Sequence, residues 1–167
     1  MTRFHTVRIS AVAASLAVLA ACGGNAETEA EETVAAASGE PAVIEERQEN
    51  YEAIGDAFKA IRGQLESGEP DFAAIEASAT EINERAQRIP DYFPAGTSVD
   101  EGYDTEALAV IWEEPAEFET AAQNFIDASA QLVTVAASGD AAAVGEQAKE
   151  MGGTCKACHD KFRLETD

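Results

Sequence analysis

From residue 42 to residue 162, apolar side chains recur at alternating steps of three and four. That spacing keeps one stripe of a helix turned toward its neighbours. In the first segment, about 42 to 66, the stripe is Ile44, Arg47, Tyr51, Ile54, Phe58, Ile61 and Leu65, with Arg47 its one charged member. Gly68-Glu69-Pro70 ends it. The second segment follows Asp71, a side chain suited to cap a helix. It runs through Phe72, Ile75, Ala79, Ile82, Ala86 and Ile89 to a stop at Pro90. Residues 90 to about 104 carry Pro, Gly and Asp without a period and predict a long connection. A short helical turn is expected from Ala107 to Trp112. Pro115 suits the first turn of a third helix, whose stripe is Phe118, Ala121 or Ala122, Phe125, Ala128 or Ser129, Leu132 and Val135. Ser138-Gly139-Asp140 breaks and recaps the chain. The fourth stripe is Val144, Ala148, Met151, Cys155, Cys158 and Phe162. The pattern predicts an all-α chain: an antiparallel four-helix bundle with a long loop between its second and third helices.

Residues 1–21 read as an export signal. Arg3 and Arg8 give a positive start, Ile9 to Leu19 is mostly apolar, and small residues follow. The apolar run is too short for an ordinary membrane span. Leu19-Ala20-Ala21-Cys22-Gly23 resembles the lipobox of bacterial lipoproteins, which implies cleavage before Cys22 and a diacylglycerol on its thiol; the alternative is an ordinary signal peptide cut near the Ala run, leaving Cys22 free or removed. Several acyl chains anchor a protein stably where one does not. Residues 22–41 are rich in Glu, Ala, Gly and Thr and nearly free of large apolar side chains, so they read as a disordered acidic tether. The bundle then occupies 42–167.

Composition agrees with helices: Ala is abundant and β-branched runs are few. The formal net charge is −21, which excludes nucleic acid and anionic membrane surfaces as natural partners and suits a basic protein partner or a high-salt milieu.

The fourth helix contains Cys155-Lys156-Ala157-Cys158-His159, the C-x-x-C-H pattern that attaches one c-type haem covalently. Two thiols three residues apart lie on one side of a helical turn and can add to two vinyl groups. His159, four residues after Cys155, projects from the same face as an axial iron ligand. A redox dithiol would sit in a βαβ context, which is lacking. A zinc site needs about four ligands, and Cys155, Cys158 and His159 supply three. The remaining alternative is a chance match. Attachment of this kind is completed outside the cytoplasm, in agreement with the leader.

The other side of the iron has no ordinary ligand. The chain has two His and two Met: His5 lies in the leader, Met1 starts it, and Met151 precedes His159 by eight residues, about 12 Å along the same helix. Unless a Lys, a Tyr or a terminal amine binds, five-coordinate iron with a pocket opposite His159 is therefore expected. Tyr51 is the candidate to line that pocket; alternatively it is a core aromatic with its hydroxyl bonded elsewhere. Arg47, one turn earlier, needs an anion if buried, and a haem propionate would serve. Arg163, four residues after His159, would sit near the proximal imidazole or a propionate. For both arginines the alternative is a surface pair with a carboxylate.

Several stretches together resemble the cytochrome c′ family, the class II c-type cytochromes, over roughly residues 43 to 163. They are the run from Cys155 to Arg163, the Phe93-Pro-Ala-Gly-Thr97 loop, Ile111-Trp112, the turn from Ala136 to Asp140, and the Arg47-x-x-x-Tyr51 pair. The resemblance implies a left-handed four-helix bundle, often a homodimer, with high-spin five-coordinate haem whose open site binds NO and CO. It places Tyr51 at the distal position, where low-spin relatives carry a methionine ligand. It gives Arg47 contact with a propionate and Arg163 an influence on the proximal side. The lipobox and tether depart from the family's soluble periplasmic members. The leading expectation is thus a gas-binding haem protein of the periplasm, anchored by lipid at Cys22. The second is a membrane-tethered electron carrier steered by its acidity to a basic redox protein. A haem enzyme ranks last, since no distal His or acid–base pair is apparent.

Overall fold

A computed structural model describes residues 40–165. The expected export signal, Cys22 and most of the tether lie outside the described residues. Four long helices form an antiparallel four-helix bundle: α1 (Ala42–Glu66), α2 (Phe72–Ala86), α4 (Pro115–Ala136) and α5 (Ala141–Phe162), with the short α3 (Val110–Glu113) before α4. No helix among the described residues is long and apolar enough to cross a membrane.

The helix ends follow from local chemistry. Asp71 Oδ1 accepts from the amides of Ala73 and Ala74, and Asp140 Oδ1 from those of Ala142 and Ala143. Each cap satisfies amides that the first turn cannot, worth about 1 kcal/mol. Pro115 opens α4, where its missing N–H costs nothing. Between α4 and α5, Gly139 holds φ at 69°, a left-handed conformation that penalises a side chain.

The core takes one stripe from each long helix. Ile44, Ile61, Ile75, Ile82, Leu132 and Val144 are completely shielded from solvent. The stripes differ from expectation in detail. On α1, Asn50 and Ala57 are buried beside the stripe, while its members Tyr51, Phe58 and Leu65 are half-buried. On α4 the buried choices are Ala122 and Ser129, and Ala136 replaces Val135. The second helix ends at Ala86 rather than at Pro90. Ile89–Tyr92 forms a separate 3-10 turn with Pro90 inside it, because proline fits a helical first turn as readily as it ends a helix.

The long connection is ordered. It contains a second 3-10 turn, Val99–Glu101, closed by Gly102 at φ 86°, and it folds back on the end of α5. Leu108 N donates to Phe162 O at 3.0 Å, Leu164 N to Glu106 O at 2.8 Å, and Val99 N to Ala107 O at 2.8 Å. Ala107 and Arg163 form an isolated antiparallel bridge. Helix α1 packs along α2, α2 on α4 and α4 on α5; α1 meets α5 over a shorter stretch. Beside that stretch the bundle opens into its larger cavity.

Candidate functional site

The cavity measures about 960 Å³, at the upper end of the range for cofactor sites. Helix α5 contributes Met151, Gly152, Cys155, Cys158, His159 and Phe162; α1 contributes Arg47, Tyr51, Ile54 and Phe58; α4 contributes Phe118, Ala122 and Phe125. The connection closes one side with Phe93, Thr105 and Glu106. All six residues read from the sequence as cofactor contacts (Arg47, Tyr51, Cys155, Cys158, His159 and Arg163) thus border one cavity. Its wall is mainly apolar and aromatic, with the two thiols and the imidazole on one helix. That donor set and volume fit a covalently held haem. No group of three or more His, Cys, Asp or Glu among the described residues could hold a metal ion directly.

Cys155 and Cys158 are free thiols, both half-buried. Burial raises both above the usual thiol range, Cys158 to about 11 with Cys155 adding to the effect, so both stay protonated in the folded chain. His159 stands at the cavity rim with part of its ring exposed. Desolvation by the protein behind it lowers its pKa, and the Arg163 charge lowers it further, against the opposite pull of Glu106 and Asp160. The neutral imidazole this favours is the form that binds a metal.

The Tyr51 ring lies edge-on to Phe93 at 6.5 Å between centroids. Phe93 in turn meets Phe118 at 4.7 Å and Trp112 at 6.3 Å, and Trp112 Nε1 donates to Phe93 O at 3.0 Å. No hydrogen bond joins the Tyr51 hydroxyl to another described residue, so the alternative of a hydroxyl bonded elsewhere in the core is not what the fold contains. Burial pushes the Tyr51 phenol well above its ordinary pKa, with Cys158 the next contributor. A phenol held protonated is a poor iron ligand.

Arg47 is buried, with 3% of its surface exposed, and its neighbours differ from expectation. Nη1 donates to Tyr92 O at 3.3 Å and Thr97 Oγ1 at 3.2 Å; Nη2 donates to Thr97 O at 3.1 Å and Thr105 Oγ1 at 2.8 Å. Its guanidinium carbon lies 4.7 Å from the centre of the Phe93 ring. No carboxylate of the described residues pairs with it, and burial pulls its pKa below the ordinary value. Its hydrogen bonds all go to neutral acceptors, with the Glu40 carboxylate partly offsetting the burial, and a buried cation so held leaves room for an anion at the cavity.

Arg163 is not on the helical face that the four-residue spacing suggests. Helix α5 ends at Phe162, and Arg163 is extended at φ −114°, ψ 135°. It still reaches the cavity because the bridge to Ala107 carries it there, and its Nε pairs with Glu106 Oε2 at 2.5 Å. Sequence reasoning missed Phe93, Thr97, Thr105 and Glu106 as site residues. The Phe93–Thr97 loop stood out as a motif, but nothing in the helical period assigns it to the cavity.

The chain is similar to known proteins. The Cytochrome C′ family model matches residues 42–163. A cytochrome c′ of Pararhodospirillum photometricum is 36% identical over 123 residues, 73% of this chain and 96% of the relative. The solved cytochrome c′ from Rhodobacter Spheriodes superposes with a TM-score of 0.69 at 28% identity, covering 75% of this chain and 97% of the other. The cytochrome c prime from Alcaligenes xylosoxidans, solved in a variant form as its nitric oxide complex, gives a TM-score of 0.64 at 25% identity over 74% of this chain and 94% of the other. With the family pattern matched across the whole bundle, and the thiols, imidazole and aromatic wall gathered at one cavity, the chain belongs to the cytochrome c′ family of haem proteins.

Proposed function

We propose that this protein binds NO and CO at five-coordinate haem iron held in the cavity between α1 and α5. Cys155 and Cys158 would hold one haem through thioethers, and His159 would be its axial ligand. The haem supplies an iron centre able to bind a diatomic gas. The chain's part is to hold the axial imidazole neutral, to wall the cavity with Tyr51, Phe93 and Phe118, and to keep other donors away. Arg47, buried without a carboxylate partner, would receive a propionate.

The observation that carries this reading is the absence of a second protein ligand. The sequence has no His outside the leader except His159. Met151 borders the same cavity from the same helix as His159, and the Tyr51 phenol is held protonated. The nitric oxide complex of a relative supports the choice of gas. A binding protein fits this site better than an enzyme, since the wall contributed by α1 and α4 is mainly apolar and aromatic, with no histidine among its lining residues. The leader and Cys22 fit export to the periplasm and a lipid anchor there, and the family resemblance fits a homodimer. A basic redox protein suits the −21 charge if the haem also exchanges electrons.

The test is the electronic absorption spectrum of the haem-loaded protein, ferric and ferrous, before and after NO and CO. High-spin bands that shift with gas are expected. Low-spin bands that ignore CO would mean a second ligand, and electron transfer would then replace gas binding as the function.

A further inference from the structure

We propose that Glu106 is a positioning residue for the proximal side of the site: it holds Arg163 beside His159 and offsets the arginine's charge there. The inference rests on the reading of His159 as the iron's axial ligand.

The geometry is specific to the junction between the long connection and the end of α5. Leu108 N to Phe162 O and Leu164 N to Glu106 O fix the two strands of backbone against each other. The Ala107–Arg163 bridge lies between those bonds. Glu106 and Arg163 are therefore neighbours by backbone registry, and their side chains pair at 2.5 Å. An exposed ion pair normally loses much of its benefit to side-chain ordering and screening. Here the backbone bridge brings the two side chains together before they pair, so less ordering remains to be done. Both residues border the cavity with His159. Without Glu106, Arg163 would follow an extended chain end with nothing holding its guanidinium at the rim.

The consequence is electrostatic. A carboxylate near the iron favours the ferric state and a guanidinium favours the ferrous state, so the pair compensates. Holding Arg163 in place also makes its influence on the iron definite rather than averaged over solvent-exposed rotamers.

The experiment is a spectroelectrochemical titration of the haem-loaded chain and three variants: Glu106→Gln, Arg163→Gln and the double substitution. At low ionic strength Glu106→Gln should change the ferrous-to-ferric ratio at a fixed applied potential by less than Arg163→Gln, whose effect should be about threefold, ~28 mV for a one-electron couple, because loss of the carboxylate and release of the guanidinium act in opposite directions. Arg163→Gln should lower the ratio. Made on top of Glu106→Gln, the arginine substitution should have a smaller effect, because the guanidinium is no longer held. The shifts should shrink in high salt. An arginine effect of the same size in both backgrounds overturns the positioning role. Failure of the five-coordinate reading is separate: it would appear in the unsubstituted protein as low-spin bands indifferent to CO, and the potentials would still decide the role of Glu106.

Discussion

Arg47 Nη2 donates to Thr105 Oγ1 at 2.8 Å across 58 positions of the chain, so one side chain of α1 holds the far end of the connection that closes the cavity. The same guanidinium bonds Thr97 and the carbonyl of Tyr92. A three-point hold of this kind explains why a stretch of Pro, Gly and Asp is ordered. We predict that Thr105→Val, which keeps the shape and removes two hydrogen bonds, one from the buried Arg47 charge and one from Ala107 N at 3.3 Å, lowers unfolding free energy by about 1.5–3 kcal/mol. Urea denaturation with an unchanged m-value would bear this out. A loss below about 0.5 kcal/mol would remove Thr105 from the hold.

Tyr51 gives the second prediction. Tyr51→Phe removes a hydroxyl that bonds no described residue, so the haem-loaded variant should keep the spectrum of the unsubstituted protein and nearly unchanged stability. Tyr51→Met places a thioether at the cavity and should move the iron toward six-coordinate low spin. A folded, haem-loaded methionine variant that stays fully high spin would show that position 51 does not face the iron.

Asn50 gives the third. Its Nδ2 donates to Arg85 O at 3.3 Å, while its Oδ1 is buried without a hydrogen-bond partner. Arg85 O also accepts from Arg88 N, so removing the amide leaves that carbonyl satisfied. Asn50→Leu should therefore be neutral or stabilising, by up to about 2 kcal/mol in denaturant titrations. Marked destabilisation would show that the amide has an unseen role in the packing of α1 on α2.

Lys161 and the carboxylates of α4 give the fourth. Lys161 Nζ pairs with both Glu114 and Glu117. Its bonds to Glu114 and then Glu117 raise its pKa above the ordinary 10.5, and its bond to Glu117 holds that carboxyl below 4.5. A raised amine pKa contributes stability below about pH 10.5 that is lost as pH rises through the folded value. A lowered carboxyl pKa contributes stability above about pH 4.5 that is lost as pH falls through the folded value. Glu117→Gln should thus lower the melting temperature slightly at pH 7 and not at pH 3. An equal difference at both pH values would assign the effect to something other than charge.

The helices were legible in the sequence because their signals are local. The caps Asp71 and Asp140, the opening Pro115, and the three–four spacing each act within a turn or two. The ends of the connection were harder to read. Pro90 signals a stop by its chemistry, yet that chemistry also suits a 3-10 turn. The burial of Asn50 rather than Tyr51 arises because the stripe on α1 faces α2 on one side and the cavity on the other, and periodicity cannot divide a stripe between two environments. The cofactor motif was legible for the same local reason: Cys155, Cys158 and His159 lie within five residues. Thr97, Thr105 and Glu106 were not, since each owes its place to a partner some 50 or more positions away in sequence.

The cavity takes one wall from α1 and the opposing one from α5, the first and last helices of the bundle. A chain is made from its N-terminus, so Arg47 and Tyr51 emerge early and His159 near the end. Docking of α5 half-buries Cys155 and Cys158 and raises their pKa values. In this fold the cavity is complete only once the last helix has joined the first.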